Sequence, residues 1–308
     1  MKAMRIHEFG GPEVLQFEEL PTPEPNDGEV RIRVMAASVN PVDYKIREGG
    51  YPRVKADQLP LTLGRDVAGV VDRVGAGVSE FGVGQEVYAM LPPDRGGYAE
   101  YVAVIAADCA AKPGRIDDVQ AAATPLAGLT AWQGLFDHGG LKAGQDVLIH
   151  GAAGGVGHLA VQFARAIGAR VIATGREEDI GFLTRLGAVQ IIDYKAQRFE
   201  DEIAPVDMVF DLVNGETQDR SWKVLKEGGA MVSTLRAPSE QEAARRHARA
   251  AHYMAEPNGG ELAEIARLID SGEVIPIVDR TYPLAAAAEA ERRLENEHVQ
   301  GKIVLRVG

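Results

Sequence analysis

The part of the sequence most suggestive of chemistry is a glycine-rich segment between two apolar runs, DVLIHGAAGGVGHLAVQFARAIGARVIATG, Asp146–Gly175. Its pattern is strand, glycine turn, helix and strand, the setting in which such a motif binds a dinucleotide. A residue without Cβ at Gly154 lets the backbone approach a pyrophosphate, and Gly157 lets the helix pack closely on the strand. The alternative is a purely structural glycine turn. We predict phosphate binding at the N-terminus of the following helix by Ala153, Gly154, Gly155 and Val156.

The end of the second strand in this segment indicates which dinucleotide is bound. NAD-binding sequences place Asp or Glu about 20 residues past the glycine turn, where the carboxylate binds the ribose 2′-hydroxyl. Here the strand ends in Thr174, Gly175 and Arg176, and a guanidinium suits a 2′-phosphate that a carboxylate would repel. Glu177 and Glu178 are interpreted as first-turn helix residues. These residues predict NADPH as the cofactor, the alternative for Arg176 being a solvated arginine at a helix start.

Composition limits the class of protein. A chain of 308 residues can form two ordinary domains. Its formal net charge of −12 argues against a nucleic-acid or anionic-membrane surface, because both need a positive protein field. Cys109 is the only cysteine, so we expect a buried thiol, no intramolecular disulfide and no cysteine-held zinc. The start lacks a signal-peptide pattern and no apolar run is long enough to span a bilayer, so we expect a cytoplasmic protein.

The first third of the chain differs in pattern from the rest. Up to about Ala107, short strands alternate with turn residues, which predicts a partly open β-barrel. Beyond Pro113, two helical segments lead into alternating strands and helices, which are typical of a doubly wound parallel sheet. The predicted barrel strands are Val14–Leu20, Glu29–Ala37, Asp66–Val74, Glu86–Met90 and Tyr98–Val104, and the two helical segments are Asp117–Ala123 and Leu126–Asp137.

The predicted parallel sheet gives way to strand character again near the end of the chain. Glu240–His252, rich in arginine, is interpreted as a solvated helix. The fold class is therefore α/β, with a barrel domain over residues 1–123, a dinucleotide-binding domain over 124–274 and a return segment over 275–308 that completes the barrel domain. The predicted sheet strands are Asp146–His150, Arg170–Thr174, Gln190–Asp193, Asp207–Leu212 and Ala230–Leu235, the helices Val156–Ile167 and Glu177–Leu186, and the returning strands lie near Val274–Arg280 and at Lys302–Val307.

Several motifs in this order resemble the medium-chain dehydrogenase/reductase superfamily, specifically its zinc-free, quinone oxidoreductase-like branch. The resemblance covers nearly the whole chain. It implies a GroES-like barrel domain, a Rossmann domain that binds NADPH, and dimerisation through the Rossmann sheets. The motifs are SVNPVDYK (Ser38–Lys45), GRDVAGVV (Gly64–Val71), GYAEYV (Gly97–Val102), TPLAGLTAW (Thr124–Trp132), the loop Gly151–Gly157 and GKIVL (Gly301–Leu305).

The resemblance also implies roles for single residues. Asn40, Tyr44 and Lys45 border the nicotinamide in related enone and quinone reductases, and Lys45 is the first candidate to stabilise a developing enolate oxygen. Tyr44 is the second candidate, and water is an alternative proton source. Three further residues are implied in cofactor binding: Thr130 on the nicotinamide side, Tyr194 at the 2′-phosphate beside Arg176, and Asn214 at the carboxyl edge of the sheet, with ordinary loop roles as the alternative for the last two.

The sequence also departs from the zinc alcohol dehydrogenases that it resembles. It has no cysteine near Asn40, no structural zinc lobe, and Arg65 in place of a ligand histidine. Since zinc polarisation of an alcohol is not available, we expect hydride transfer from NADPH to an acceptor that needs little activation. A quinone or the C=C bond of an α,β-unsaturated carbonyl fits this requirement. The alternatives are an NADPH-binding sensor or structural protein with little turnover, and an enoyl-thioester reductase.

Overall fold

The computed structural model describes all 308 residues, Met1 to Gly308, and divides into two compact units. The barrel unit comprises Met1–Leu129, Glu256–Ser271 and Pro276–Gly308, and the sheet unit comprises Thr130–Ala255 and Gly272–Ile275. This division differs from the sequence-based one mainly in two places. The first boundary lies six residues later than residue 123/124, after Leu129, and the stretch from Glu256 to Ser271 groups with the barrel unit.

Strands and helices occupy most of the chain. The strands are β1 (Lys2–Ile6), β2 (Leu15–Glu19), β3 (Glu29–Val39), β4 (Leu61–Thr62), β5 (Asp66–Val74), β6 (Glu86–Met90), β7 (Tyr101–Ile105), β8 (Cys109–Ala111), β9 (Asp146–His150), β10 (Arg170–Gly175), β11 (Gln190–Asp193), β12 (Val206–Asp211), β13 (Leu225–Ser233), β14 (Arg249–His252), β15 (Val278–Pro283) and β16 (Lys302–Arg306). The helices are α1 (Pro41–Arg47), α2 (Asp118–Ala122), α3 (Pro125–Trp132), α4 (Gly157–Ala166), α5 (Ile180–Leu186), α6 (Phe199–Glu202), α7 (Gly215–Ser221), α8 (Glu240–Arg245), α9 (Gly259–Asp270) and α10 (Ala287–Asn296).

The barrel unit is built around β3, the strand that feeds directly into α1. β3 pairs antiparallel with β5, β7 and β16, in a seven-stranded sheet of order β15-β16-β3-β5-β6-β8 with β7 added on β3. A second sheet has the order β2-β1-β4. Alternate side chains of these strands, among them Ile32, Val67 and Ile303, are fully buried in one core, which fixes the register of each strand.

The sheet unit is a six-stranded, all-parallel sheet of order β11-β10-β9-β12-β13-β14. This order reverses between β9 and β12, so a crevice opens at the carboxyl ends of these two strands. The central strands carry consecutive apolar residues, as Leu148, Val209 and Met231 illustrate, because a parallel sheet covered on both faces is buried on both faces.

Most predicted elements are present, and the α/β class is confirmed, with a mostly antiparallel, barrel-like sheet and a doubly wound parallel sheet. The prediction of one helix over Glu240–His252 is wrong in its second half: α8 ends at Arg245, and Arg249–His252 forms β14, paired with β13. His247 has a positive φ of 49°, which breaks the helix before the strand begins. No helix of the protein combines the length and apolar character needed to cross a bilayer.

Candidate functional site: a dinucleotide loop and a polar helix start

The glycine-rich loop connects the carboxyl end of β9 to the first residue of α4. Gly151 takes a positive φ of 70°, which turns the chain out of the strand. A Cβ on Gly157 would overlap the carbonyl oxygen of Gly151 and lie 2.6 Å from Cα of Ala152. Around Gly154, by contrast, the nearest atom to such a Cβ is 3.5 Å away. Gly157 is therefore required by the fold, whereas Gly154 leaves space that a ligand can use.

The backbone amides of this loop leave donors free for an anion. Gly154 donates to the carbonyl of Gly151 at 3.2 Å, but the amides of Ala153, Gly155 and Val156 find no acceptor within the chain. The imidazole Nδ1 of buried His158 lies 3.1 Å from the Gly154 carbonyl oxygen and, as the only possible donor of the two, holds the loop in place. Three free amides beside a helix N-terminus suit an anion, and they lie where the sequence predicts a phosphate site.

The end of β10 places a guanidinium next to a phenol. Nε of Arg176 donates to the hydroxyl of Tyr194 at 3.1 Å, and the Tyr194 amide donates to the carbonyl of Gly175 at 3.1 Å. Gly175 is buried, and a Cβ there would lie 2.9 Å from Leu183. Arg176 also approaches Glu178 at 3.4 Å, at the surface. The structure thus places Tyr194 beside Arg176, the arrangement that the resemblance implies.

Lys195 is a residue of this region that the sequence reasoning missed. Its ammonium lies 5.4 Å from the centre of the Tyr194 ring, at the exposed end of β11. A second cation beside Arg176 strengthens the local positive field on an otherwise acidic protein. The tripeptide Asp193-Tyr194-Lys195 directly after a predicted strand is the pattern that could have identified it.

The side chain of Thr174 is hydrogen-bonded to a buried histidine. His150, fully buried, lies with Nδ1 3.1 Å from the Thr174 hydroxyl and with Nε2 2.9 Å from the Ser221 hydroxyl. Because Ser221 donates its own proton to the Thr217 carbonyl at 2.7 Å, the Nε2–H group must donate to Ser221 and Nδ1 must accept from Thr174. Burial lowers the pKa of His150 to about 4, so the imidazole is neutral in this chain of hydrogen bonds.

Asn214 lies at the carboxyl end of β12, at the edge where the sheet order reverses. Its φ of 67° is unusual for a residue with a side chain, and its amide oxygen Oδ1 is buried with no hydrogen-bond partner. Asp211 stabilises this turn: its Oδ1 accepts from the amides of Val213 and Asn214 at 3.1 and 2.9 Å. Its Oδ2 accepts from the Ser233 hydroxyl at 2.9 Å. A buried hydrogen-bond acceptor without a partner at this edge suits a ligand that offers a hydrogen-bond donor.

Thr130 lies in α3, is the first residue of the sheet unit, and is buried. Its carbonyl oxygen accepts a hydrogen bond from the hydroxyl of Tyr253, which follows β14. The backbone of Thr130 is thus tied to the end of the sixth strand of the sheet. Its predicted place near the nicotinamide stays a prediction.

In the barrel unit, the three residues suggested for the reaction lie at the N-cap of α1 and within this helix. Asn40 is the N-cap, and its backbone amide donates to Asp43 Oδ2 at 2.8 Å in a capping box. Tyr44 is half-buried, and burial, together with Glu295 and Glu48, raises the pKa of its phenol. Lys45 is exposed. Tyr44 therefore stays a neutral donor at physiological pH, and Lys45 presents an ammonium at the surface of the unit.

Asn40 itself is not available to a ligand in the way that Lys45 is. It is 3% exposed, and its Nδ2 donates to Asp66 Oδ2 at 2.8 Å and to the Ser38 hydroxyl at 3.3 Å. Its Oδ1 accepts from the ammonium of Lys302. Both ends of the amide are engaged within the protein. Lys302 belongs to the GKIVL motif, but nothing in the sequence links it to Asn40.

The protein offers no arrangement suited to a metal ion. No group of three or more His, Cys, Asp or Glu side chains is positioned to hold one. Arg65 is buried, and its Nε donates to the carbonyl oxygen of Leu91. A guanidinium donates hydrogen bonds and does not ligate metals. Cys109 is buried and unpaired, as expected, and burial raises the pKa of its thiol to about 12.

These residues fit a phosphorylated dinucleotide. The free amides of the loop suit a pyrophosphate, the cations and phenol after β10 and β11 suit a further phosphate, and the orphaned acceptor of Asn214 suits a donor group. The residue that follows β10 is Arg176, where an NAD-binding protein would have Asp or Glu, and the nearby carboxylate of Asp179 accepts from the backbone amide of Arg176 at 2.8 Å. The set of donors therefore favours the 2′-phosphorylated form.

Comparison with known proteins agrees with this fold. The family model for an alcohol dehydrogenase GroES-like domain matches residues 26–114, and the model for a zinc-binding dehydrogenase matches residues 186–305. The chain is 37% identical to the chloroplastic NADPH-dependent alkenal/one oxidoreductase of Arabidopsis thaliana, over 99% of this chain and 79% of that protein.

Solved structures give the same picture over the whole chain. The quinone oxidoreductase from Coxiella burnetii has a TM-score of 0.92 and 37% identity, with 100% of this chain and 99% of that chain covered. The Escherichia coli quinone oxidoreductase complexed with NADPH has a TM-score of 0.89 and 30% identity, with 100% of both chains covered. The fold and site define a two-domain, dinucleotide-binding protein of the medium-chain dehydrogenase/reductase superfamily. The chain belongs to the zinc-free, quinone oxidoreductase-like branch of that superfamily.

Proposed function

We propose that the protein is an oxidoreductase that uses NADPH to reduce a quinone or the C=C bond of an α,β-unsaturated carbonyl, without zinc. The observation that carries the choice of cofactor is the hydrogen-bonded pair of Arg176 and Tyr194 at the end of β10, beside a loop with free amides. The names of the Arabidopsis, Coxiella and Escherichia coli relatives support both acceptor classes.

The sheet unit binds the cofactor. The amides of Ala153, Gly155 and Val156 bind the pyrophosphate, and Arg176, Tyr194 and Lys195 bind the 2′-phosphate. When bound, NADPH supplies a hydride from its nicotinamide ring. The buried chain from His150 to Thr174 holds the end of β10 so that Arg176 keeps its position.

The barrel unit supplies the groups that act on the acceptor. In an enone, hydride arriving at the β-carbon leaves negative charge on the carbonyl oxygen, and a proton must then reach the α-carbon. The ammonium of Lys45 stabilises that oxygen, and the phenol of Tyr44, kept protonated by its raised pKa, or water supplies the proton. A quinone takes up hydride and a proton to give the hydroquinone with less assistance.

The test measures NADPH consumption with short enones, quinones and enoyl thioesters, followed by single-turnover hydride transfer in the variant Lys45→Met. This variant keeps much of the stem but removes the charge. We expect a loss of about 10²–10³ in the rate with an enone, a smaller loss with a quinone, and unchanged NADPH affinity. Lys142→Met, an exposed lysine of the sheet unit, is the matched control.

Each result has a distinct meaning for the proposal. Tight NADPH binding without consumption across the whole panel would contradict an enzyme and favour a sensor or structural protein. Turnover of enoyl thioesters alone would change the substrate class. A wild-type rate in Lys45→Met, or a loss confined to NADPH affinity, would remove Lys45 from the reaction, and Tyr44→Phe then tests the second donor.

We also propose a homodimer formed through the parallel sheet. β14 is an edge strand that pairs on one side only, with β13, and Arg249, Ala250 and His252 are exposed along it. An edge strand of this kind presents unpaired backbone groups to a second copy. Sedimentation should give twice the chain mass of 33.0 kDa. A monomer at micromolar concentration would refute this assembly.

A cytoplasmic location is part of the same proposal. The one thiol of the chain, Cys109, is buried and unpaired, which suits a reducing compartment. Fractionation of cells that express the protein tests this location, and recovery with organelles would contradict it.

A further inference from the structure

We infer that Lys302 is a positioning residue for this reaction: from β16 it holds Asn40, the N-cap of α1, and so fixes the helix that carries Tyr44 and Lys45. The inference rests on the function proposed for Tyr44 and Lys45. It assigns a task to a buried lysine that neither the cofactor site nor the acceptor chemistry uses.

Lys302 is fixed by its surroundings. It is 3% exposed, and its ammonium donates to the carbonyl oxygen of Val39 at 3.1 Å and to the side-chain oxygen of Asn40. Asp66 Oδ2 lies 3.9 Å away and supplies the opposite charge. Burial lowers the pKa of Lys302, while Asp66 and Asp43 act in the opposite direction. A buried ammonium needs such partners, so its position determines theirs as well.

The amide of Asn40 can take only one orientation in this network. An ammonium only donates and a carboxylate only accepts, so Oδ1 must face Lys302 and Nδ2 must face Asp66. The other oxygen of Asp66 accepts from the backbone amide of Leu126 at 2.6 Å. Ser38 donates to the same carboxylate at 2.5 Å. Asn40 is thus joined to three separate parts of the barrel unit: β3, β5 and β16.

This attachment matters because α1 is too short to hold itself in place. It has seven residues, and an isolated helix of two turns is not stable in water. At its start, Asn40 connects Lys302 to the first turn through the capping hydrogen bond to Asp43. At its end, fully buried Arg47 donates to Glu291 on α10 at 2.7 Å.

Both fixed points of α1 therefore come from the C-terminal part of the barrel unit. Tyr44 and Lys45 lie between them, one half-buried and one exposed. If Lys302 is lost, the backbone carbonyl oxygen of Val39 and the side-chain oxygen Oδ1 of Asn40 lose this donor, and the start of α1 is free to shift. A displacement of about 1 Å at a reacting group can cost on the order of 100-fold in rate.

The experiment compares Lys302→Met with wild type in three measurements: NADPH affinity, single-turnover hydride transfer to an enone, and amide hydrogen exchange over residues 41–47. We expect unchanged NADPH affinity, a rate lowered on the order of 10- to 100-fold, and faster exchange in α1. Lys112→Met is the matched control, because Lys112 is also a mostly buried lysine of the barrel unit, paired with Glu86 and Asp118 away from α1.

A double-mutant cycle separates positioning from a general loss of structure. If Lys302 acts through Lys45, then Lys302→Met should cost much less rate in a Lys45→Met background than in wild type. Additive losses would overturn the inference, as would a lowered rate with unchanged exchange in α1. If Lys302→Met does not fold, Asn40→Ala tests the same link from its other end with the same measurements.

The exchange measurement keeps this inference separate from the proposed function. If wild type reduces no acceptor, the proposed function fails, while exchange in α1 still shows whether Lys302 fixes the helix. If wild type is active but α1 exchanges equally in wild type and in Lys302→Met, the inference fails and the proposed function stands.

Discussion

Nε of Arg176 lies 3.1 Å from the hydroxyl oxygen of Tyr194, although the two residues follow different strands, β10 and β11. The contact exists because the strands are parallel neighbours, with Gly175 paired opposite Asp193. Residues that follow paired positions in parallel strands leave the sheet at the same edge. A guanidinium and a phenol are thereby held side by side, in a position from which both could donate to one phosphate.

Arg176→Ala should therefore weaken NADPH binding selectively. A hydrogen bond to a charged group contributes about 1.5–3 kcal/mol, which corresponds to roughly a 10- to 100-fold loss in affinity. Tyr194→Phe removes a neutral donor and should cost less. NADH affinity should barely change in either variant, as measured by fluorescence titration.

Arg170→Ala is the control for this pair, since Arg170 is an exposed arginine at the opposite, amino end of β10. It should leave both affinities unchanged. Equal losses of NADPH and NADH in Arg176→Ala would mean that Arg176 does not contact the 2′-phosphate.

Gly154→Ala should lower the affinity for NADPH, whereas Gly157→Ala should lower the stability of the fold. A Cβ at Gly154 has 3.5 Å of clearance within the chain, so stability should stay near wild type while NADPH binds at least 10-fold more weakly. A Cβ at Gly157 overlaps the backbone of the loop, so the melting temperature should fall even without cofactor. Thermal melting with and without NADPH distinguishes the two. A Gly154→Ala protein with normal affinity would place the pyrophosphate elsewhere.

His150 should make the protein less stable as the pH falls. Its folded-state pKa of about 4 lies below the ordinary histidine value near 6.5, so the unfolded chain takes up the proton first. The stability is fully present above about pH 6.5 and is lost as the pH falls towards 4, by up to about 3 kcal/mol. Urea unfolding at several pH values measures this slope.

His150→Gln removes the titrating group but keeps a side chain that can donate and accept, so its unfolding free energy should depend less on pH over this range. His247→Gln, at an exposed histidine of the same unit, should keep the wild-type slope. Identical slopes in wild type and His150→Gln would show that His150 does not supply the effect.

The phosphate loop and the sheet that presents it were accessible to prediction because their determinants are local. Strand β9, the glycine turn and α4 follow one another within 21 residues. The apolar and glycine positions of this segment can be explained by the strand, turn and helix that the segment itself forms. Arg176 was found in the same way, at the end of the next strand. The role of Tyr194 in cofactor binding was predicted from the resemblance to the family. Its contact with Arg176 follows from the strand order, which makes β10 and β11 neighbours.

Other features could not be predicted because their determinants lie far apart in the chain. β14 has the sequence Arg249-Ala250-Ala251-His252, mostly exposed and without alternating apolar residues, and it is a strand only because β13 is beside it. The contact between Asn40 and Lys302 joins residues 262 positions apart. No periodicity connects them, so the sequence suggested catalysis for Asn40 while the structure favours a positioning role.

That separation has a consequence for synthesis on the ribosome. At 5–20 residues per second, Lys302 is made roughly 10–50 s after Asn40. Until then, Ala36–Val39 at the end of β3 lack the partner that β16 later provides, and Asp66 lacks its ammonium. An unpaired strand edge attracts other chains. A growing polypeptide therefore displays this edge to chaperones and to neighbouring nascent chains for most of its translation.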